Sequence, residues 1–267
     1  MRPDLILVLW GETFTADFLH KLKSQVRSKL VTWWTDDPFR KPVDAILPFY
    51  DLFFIFDRSY IPRLRREGAS QVHFLPCACD ETVYYPRPLH PSDKAHYGSE
   101  IALVTWYRPD HRLPILTALS RYNLKVWGRG WTSPEARRSL NGIDQRILQI
   151  DRFVPDHVAA KIYNAAQIGL NIHSIQTHQA GLNTRSFELL ATGAFQLVDA
   201  IPGMEELLTP GKEVVAYHSP DEAAELAGYY LQHPENQKTI AACGRKRVLR
   251  EHTYLHRMQT LLKAVHR

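Results

Sequence analysis

The run Asn183-Thr184-Arg185-Ser186-Phe187-Glu188 sets an amide, a hydroxyl, a guanidinium and a carboxylate close together in the chain. Asn183 or Thr184 can cap a helix, because a short side-chain oxygen accepts a backbone N–H that the first turn leaves unpaired. A helix start with free N–H groups, a positive dipole end and an arginine suits a phosphate or diphosphate. The Glu188 carboxylate one turn on is acceptor-only and can take two sugar hydroxyls at once. Together these groups complement half of a nucleotide. The same residues also read as an exposed Arg185/Glu188 pair at i, i+3, worth only ~0.2–0.5 kcal/mol.

The apolar run 168–172 precedes this helix start, and open α/β sheets bind ligands beyond the carboxyl ends of their strands, which favours the ligand reading. Three more groups could do chemistry. His173 follows the same strand, as a catalyst or as a hydrogen-bonded structural residue. Asp36-Asp37 lies just past a strand end, as a turn cap or in acceptor binding and proton transfer. Gly128-Arg129-Gly130-Trp131 follows another strand, as a tight turn or as a place where a nucleotide approaches the backbone.

The elements that must position these groups are legible as alternating periodicities. The helix from 183 should stop near Gly193, with Phe187, Leu190 and Ala191 buried and Thr184, Arg185 and Glu188 on a polar face. Substituting that polar face is expected to leave folding untouched. Strands are expected at 5–10, 30–34, 51–56, 72–75, 101–106, 124–128 and 214–217. Helices are expected at 15–28 (Phe18, Leu19, Leu22 and Val26 inward), 59–67, 112–122, 156–166 capped by Asp156, 221–232 capped by Ser219, and 235–250 opened by Pro234. A short helix is expected at 204–208. A last amphipathic helix carries Tyr254, Leu255, Met258, Leu261, Leu262 and Val265. Strands alternating with helices imply parallel sheets. Residues 85–97 hold three prolines and no apolar period, and read as a linker.

Asn183-Thr184-Arg185-Ser186-Phe187-Glu188 followed by Ala191-Thr192-Gly193-Ala194 resembles the N-x-R-x-F-E…A-x-G-A signature of glycosyltransferase group 1 proteins of the CgeB (spore maturation protein) type. Trp34-Thr35-Asp36-Asp37-Pro38, Leu75-Pro76-Cys77-Ala78, Leu170-Asn171-Ile172-His173, and Gly244 with His252-Thr253-Tyr254 and Arg257 extend the resemblance over nearly the whole chain. It implies an α/β fold of two Rossmann-like lobes (GT-B-like). Residues 1–88 would form a reduced N-terminal lobe on the acceptor side, 98–252 the nucleotide-sugar lobe, and 253–267 a helix crossing back. It also implies transfer of a sugar from a nucleotide-sugar co-substrate to an unidentified acceptor (glycan, protein or small molecule), with no metal and no other cofactor. Binding falls to Gly128, Arg129, Trp131, Val154, Asn183, Thr184, Arg185 and Glu188. The base would lie near the 128–131 loop and the 153–155 turn, the diphosphate at 183–185 and the ribose at Glu188. Arg185, His173 and Asp37 are the catalytic candidates. Relatives carry acidic residues at the places of Ala180 and Gly181.

The remaining features restrict the alternatives. The chain has 267 residues, 45% hydrophobic and 23% charged, the balance of an ordinary globular protein with room for two modest cores. No apolar run is long enough for a membrane span or signal peptide, so a cytoplasmic protein is expected. The net charge is +5, but the basic residues are scattered apart from 63–66 and 245–250. No nucleic-acid partner is expected, and those runs leave room for peripheral membrane contact. Three cysteines make neither a disulfide framework nor a zinc spacing. A non-catalytic nucleotide- or glycan-binding module remains the alternative to an enzyme.

Overall fold

The computed structural model describes residues 3–108, 111–140, 147–174 and 181–266. Two compact units divide the chain: Met1–Cys77, Gln176–Asn183 and Tyr254–Arg267 form the first, Ala78–Ile175 and Thr184–Thr253 the second. The boundary thus falls at Cys77/Ala78, and the stretch expected as a linker belongs with the second unit. No helix among the described residues is long and apolar enough to cross a membrane.

The first unit holds a parallel sheet in the order β1-β2-β3-β4, with β1 at Leu5–Leu9, β2 at Lys29–Trp34, β3 at Leu52–Ile55 and β4 at Val72–Phe74. Every residue of β3 is buried, the signature of a strand covered on both faces. Helix α1, Ala16–Gln25, starts where the Thr15 hydroxyl accepts the Phe18 N–H. Leu19 is its buried residue, whereas Phe18 is exposed and lies against Phe14. Helix α2 covers Ile61–Arg66. The last helix of this unit, α10 (Tyr254–Val265), packs Leu261 and Val265 on Val31, Trp33, Leu52 and Phe54. Arg257, almost wholly buried, anchors it by donating to the carbonyls of Pro76 and Cys77 at 2.8 Å each.

The second unit holds a six-stranded parallel sheet ordered β10-β9-β8-β5-β6-β7. Its strands are β5 Ser99–Val104, β6 Leu124–Gly128, β7 Ile147–Asp151, β8 Ala166–Asn171, β9 Gln196–Asp199 and β10 Val215–Tyr217. The helices are α3 Pro91–Tyr97, α4 Arg112–Leu119, α5 Pro134–Ser139, α6 Asp156–Ala165, α7 Thr184–Ala191, α8 Pro220–Gln232 and α9 Pro234–Glu251. α3 occupies the expected linker because Pro91 sits at its first position, where a missing N–H costs nothing, and the His90 ring accepts the Ser92 N–H. Pro155, not Asp156, is the N-cap of α6, and Asp156 lies in its first turn. Ser219 caps α8 as expected. The core runs from Ile101 and Leu103 through Ile168 and Leu170 to Phe195, Leu197 and Tyr217.

Strand order fixes where this unit can bind. From β5 the chain moves outward to β6 and β7, then returns to the other side of β5 to lay down β8, β9 and β10. The direction reverses between β5 and β8, and the crevice beyond their carboxyl ends is where such sheets take ligands.

Candidate functional site

Arg108, from the loop after β5, donates to the Ser174 hydroxyl, after β8, at 3.3 Å. One hydrogen bond therefore spans the point of reversal. Helix α7 follows β8 and starts at Thr184, so Asn183 holds the N-cap position and Arg185 and Ser186 fall in the first turn. Phe187, Leu190 and Ala191 are fully buried as the spacing predicts. Gly193, with φ +77°, ends the helix in a conformation that favours glycine.

The first turn of α7 is tied to the ends of β8 and β9. Asp199 closes β9 and accepts from the His173 backbone N–H at 2.9 Å and from its Nδ1 at 2.7 Å. Burial pushes the Asp199 carboxyl up, but these bonds and the nearby His111 bring it below its usual value. With Nδ1–H given to Asp199, Nε2 faces the Ser186 hydroxyl at 3.4 Å. Asn171 donates to the same hydroxyl at 3.0 Å, and the Gln196 amide donates to the Ser186 carbonyl. His173 is only 2% exposed. Both ring nitrogens face partners that tie the end of β8 to β9 and to the first turn of α7.

Glu188 departs from the expected open polar face. It is partly buried, and desolvation raises its carboxyl from 4.5 to about 7. The Arg185 charge opposes the rise, Asp156 adds to it, and a hydrogen bond with Tyr84 opposes it again. Tyr84 and Tyr163 are buried beside it, and burial pushes the Tyr163 phenol up to about 12. Arg185 lies against Tyr163 and Glu188, and its Nε is buried with no hydrogen-bond partner among the described residues. A buried guanidinium nitrogen without an acceptor is costly in a finished fold, and an anion could supply the missing acceptor.

The loop after β6 behaves differently from expectation. Trp131 is fully buried and its Nε1 donates to the Thr105 carbonyl at 2.7 Å. It belongs to the core and has no face for a base, which corrects its assignment. A Cβ at Gly128 would lie 1.9 Å from the Thr105 carbonyl oxygen, so this glycine permits β6 to approach the β5 loop. Asp151 clamps the loop by accepting from Gly130 N and Thr132 N at 2.9 Å each. Arg129 is exposed, its guanidinium 5.3 Å from the Phe153 ring centre. Phe153 is exposed and Val154 partly so, which leaves the 153–155 turn open on the same side as Arg129.

Asp37, in the first unit, accepts the Phe39 N–H at 2.8 Å and neighbours the Tyr60 hydroxyl. These contacts make it the cap of its own turn. At Gly181 a Cβ would meet the Phe56 ring at 2.5 Å and Asp57 at 2.8 Å, so no side chain fits without a shift. Ala180 lies outside the described residues. Among those residues no cluster of three histidine, cysteine or carboxylate side chains could hold a metal.

Sequence reasoning missed Arg108, Asp199 and Tyr84, and read Asp156 only as a cap. Asp199 was the most accessible of these, as a lone acid at the end of an apolar run. The others converge from segments more than 25 residues away from α7.

A family model described as "Glycosyl transferase-like" matches residues 112–263. The spore protein CgeB of Bacillus subtilis (strain 168) is 23% identical over 277 residues, covering 99% of this chain and 83% of its own. Anabaena HepE, in a crystal structure with UDP and glucose, superposes with a TM-score of 0.74 at 15% identity, over 98% of this chain and 77% of its own. Sucrose-phosphate synthase from Thermosynechococcus elongatus does so with 0.71 at 17% identity, over 98% and 73%. The fold is thus that of the two-lobed GT-B proteins.

Proposed function

This chain belongs to the glycosyl transferase-like family, and from that premise we propose that it acts in the cytoplasm to move a sugar from a nucleotide-sugar, held by the second unit, to an acceptor without a metal ion. The observation that carries the reading is the buried Arg185 Nε in the first turn of α7, without a partner among the described residues, beside a carboxylate and beyond the switch point of the sheet.

In this reading the donor diphosphate meets Arg185 and the N–H groups of Asn183 and Thr184, with Arg108 on the facing loop. Glu188 exchanges its bond with Tyr84 for the ribose hydroxyls. The base lies by Arg129, Phe153 and Val154. In the transfer, the bond between the anomeric carbon and the diphosphate oxygen breaks, an acceptor oxygen bonds to that carbon, and the acceptor proton leaves to solvent or a base. Charge grows on the departing diphosphate, and prepositioned cationic and N–H donors stabilise it without reorganising. His173 and Asp199 keep the α7 turn in register for this.

Calorimetric titration with UDP, GDP, dTDP and their sugars, with and without EDTA, tests the proposal. Arg185→Ala should weaken a nucleoside diphosphate by about 10- to 150-fold, the range for hydrogen bonds to charged groups, and barely change the nucleoside. Glu188→Gln should weaken both alike. Loss of affinity on chelation would remove metal independence; unchanged affinity in both variants would remove the site.

A further inference from the structure

Trp10 follows β1 with φ +65°, a left-handed conformation that non-glycine residues rarely adopt. Its ring is not loose: Nε1 donates to the Thr35 hydroxyl, just past β2, at 2.6 Å. The indole is nevertheless 48% exposed and the adjacent Leu9 65%. The molecule therefore holds an aromatic face to solvent at the carboxyl ends of the first unit's strands, where sheets of this type take ligands.

The rim beside it is built from opposite charges. Arg40 lies 3.0 Å from Asp36 and 3.6 Å from Glu12, and Lys41 lies 3.6 Å from Glu12. Asp36 follows Thr35 directly, and Glu12 lies two residues beyond Trp10. Within these four side chains two carboxylates balance two cations, and Asp37 follows directly after Asp36, so the rim offers no net attraction to an anion. It does offer paired acceptors and donors, and a sugar hydroxyl can give its proton to a carboxylate while accepting from a guanidinium. A pyranose presents an apolar C–H face to an aromatic ring and hydroxyls around its edge, which matches both features.

We infer that the first unit carries a binding site for a neutral saccharide, with Trp10 as its platform and Glu12, Asp36, Arg40 and Lys41 as its hydroxyl-binding rim. This deepens the proposed transfer and rests on it for one point, that the bound saccharide is the acceptor.

The test applies the intact chain to an array of neutral, sialylated and sulfated glycans, alongside titration with UDP-glucose. Trp10→Asn is the informative variant, because asparagine tolerates left-handed backbone and the fold should survive, as a melting curve would confirm. The wild type should retain neutral glycans, and Trp10→Asn should lose them by about 10-fold or more, which corresponds to ~1.4 kcal/mol, with UDP-glucose affinity unchanged. Asp36→Asn removes the nearer of Arg40's two carboxylate partners and should shift retention towards the anionic glycans. The inference is overturned if the wild type retains no neutral glycan, if anionic glycans dominate, or if Trp10→Asn retains the same set equally. Glycan retention without nucleotide-sugar binding would overturn the proposed transfer and leave the saccharide site standing.

Discussion

Glu188→Gln separates the cost of the carboxylate to the fold from its use to a ligand. In the folded chain burial lifts the carboxyl from 4.5 to about 7. A group with a raised folded value binds its proton more tightly in the native state. Its contribution is therefore fully favourable below pH 4.5 and is lost as pH rises through about 7. At 1.36 kcal/mol for each tenfold in proton affinity the whole difference is ~3 kcal/mol. Residual water contact reduces this to ~1–3 kcal/mol. Glutamine does not ionise, so the variant should gain that much on the wild type between pH 5 and pH 8, whatever fixed offset the altered Tyr84 hydrogen bond introduces. Urea unfolding of both proteins at the two pH values measures it. Parallel pH profiles would refute the reasoning. Nucleoside affinity should move the other way: wild-type binding should strengthen as pH rises through about 7, while the variant binds weakly at every pH.

His173→Ala should cost ~2–3 kcal/mol by leaving Asp199 with only its backbone partner, and should raise KM for the donor more than it lowers kcat; an equal loss of kcat with KM unchanged would make His173 catalytic after all. The Asp199 contribution should be complete above about pH 4 and vanish on further acidification, since its folded value lies below 3.8. Removing 254–267 uncovers the surface under Leu261 and Val265, ~1.5–3 kcal/mol for each side chain, and frees the carbonyls that Arg257 holds; a truncated chain with an unchanged melting temperature would show that α10 is peripheral. Gly181→Asp should destabilise by ~1–3 kcal/mol, the cost of overpacking, and an unchanged urea midpoint would show that the segment relaxes.

Local signals carried much of this fold. The apolar runs gave most strands to within two residues, and the Thr15, Ser219 and Gly193 positions act as local chemistry demands. β7 was missed because Ile147-Leu148-Gln149-Ile150-Asp151 is short and fits a strand or a helix equally. The 85–97 stretch misled because prolines read as punctuation, whereas Pro91 opens a helix. The site was legible where its residues share one turn, as Arg185 and Glu188 do. It was illegible where burial is supplied from afar: Tyr84 covers Glu188 from 104 positions away in the sequence, and the Thr105 carbonyl is what lets Trp131 go inside. No periodicity on α7 or in the 128–131 loop records either contact.

The first unit is interrupted in sequence, and that has a consequence for its synthesis. Lys29 reaches the carbonyl of Val265 across 236 positions, and Leu261 and Val265 complete a core otherwise made before residue 77. On the ribosome, β1 to β4 emerge first, yet they wait with one face uncovered until the whole second unit has been made. Closing so long a loop is slow. Nascent chains should therefore expose Trp33 and Phe54 for most of translation, a window in which a chaperone or a neighbouring chain can compete with α10 for that face.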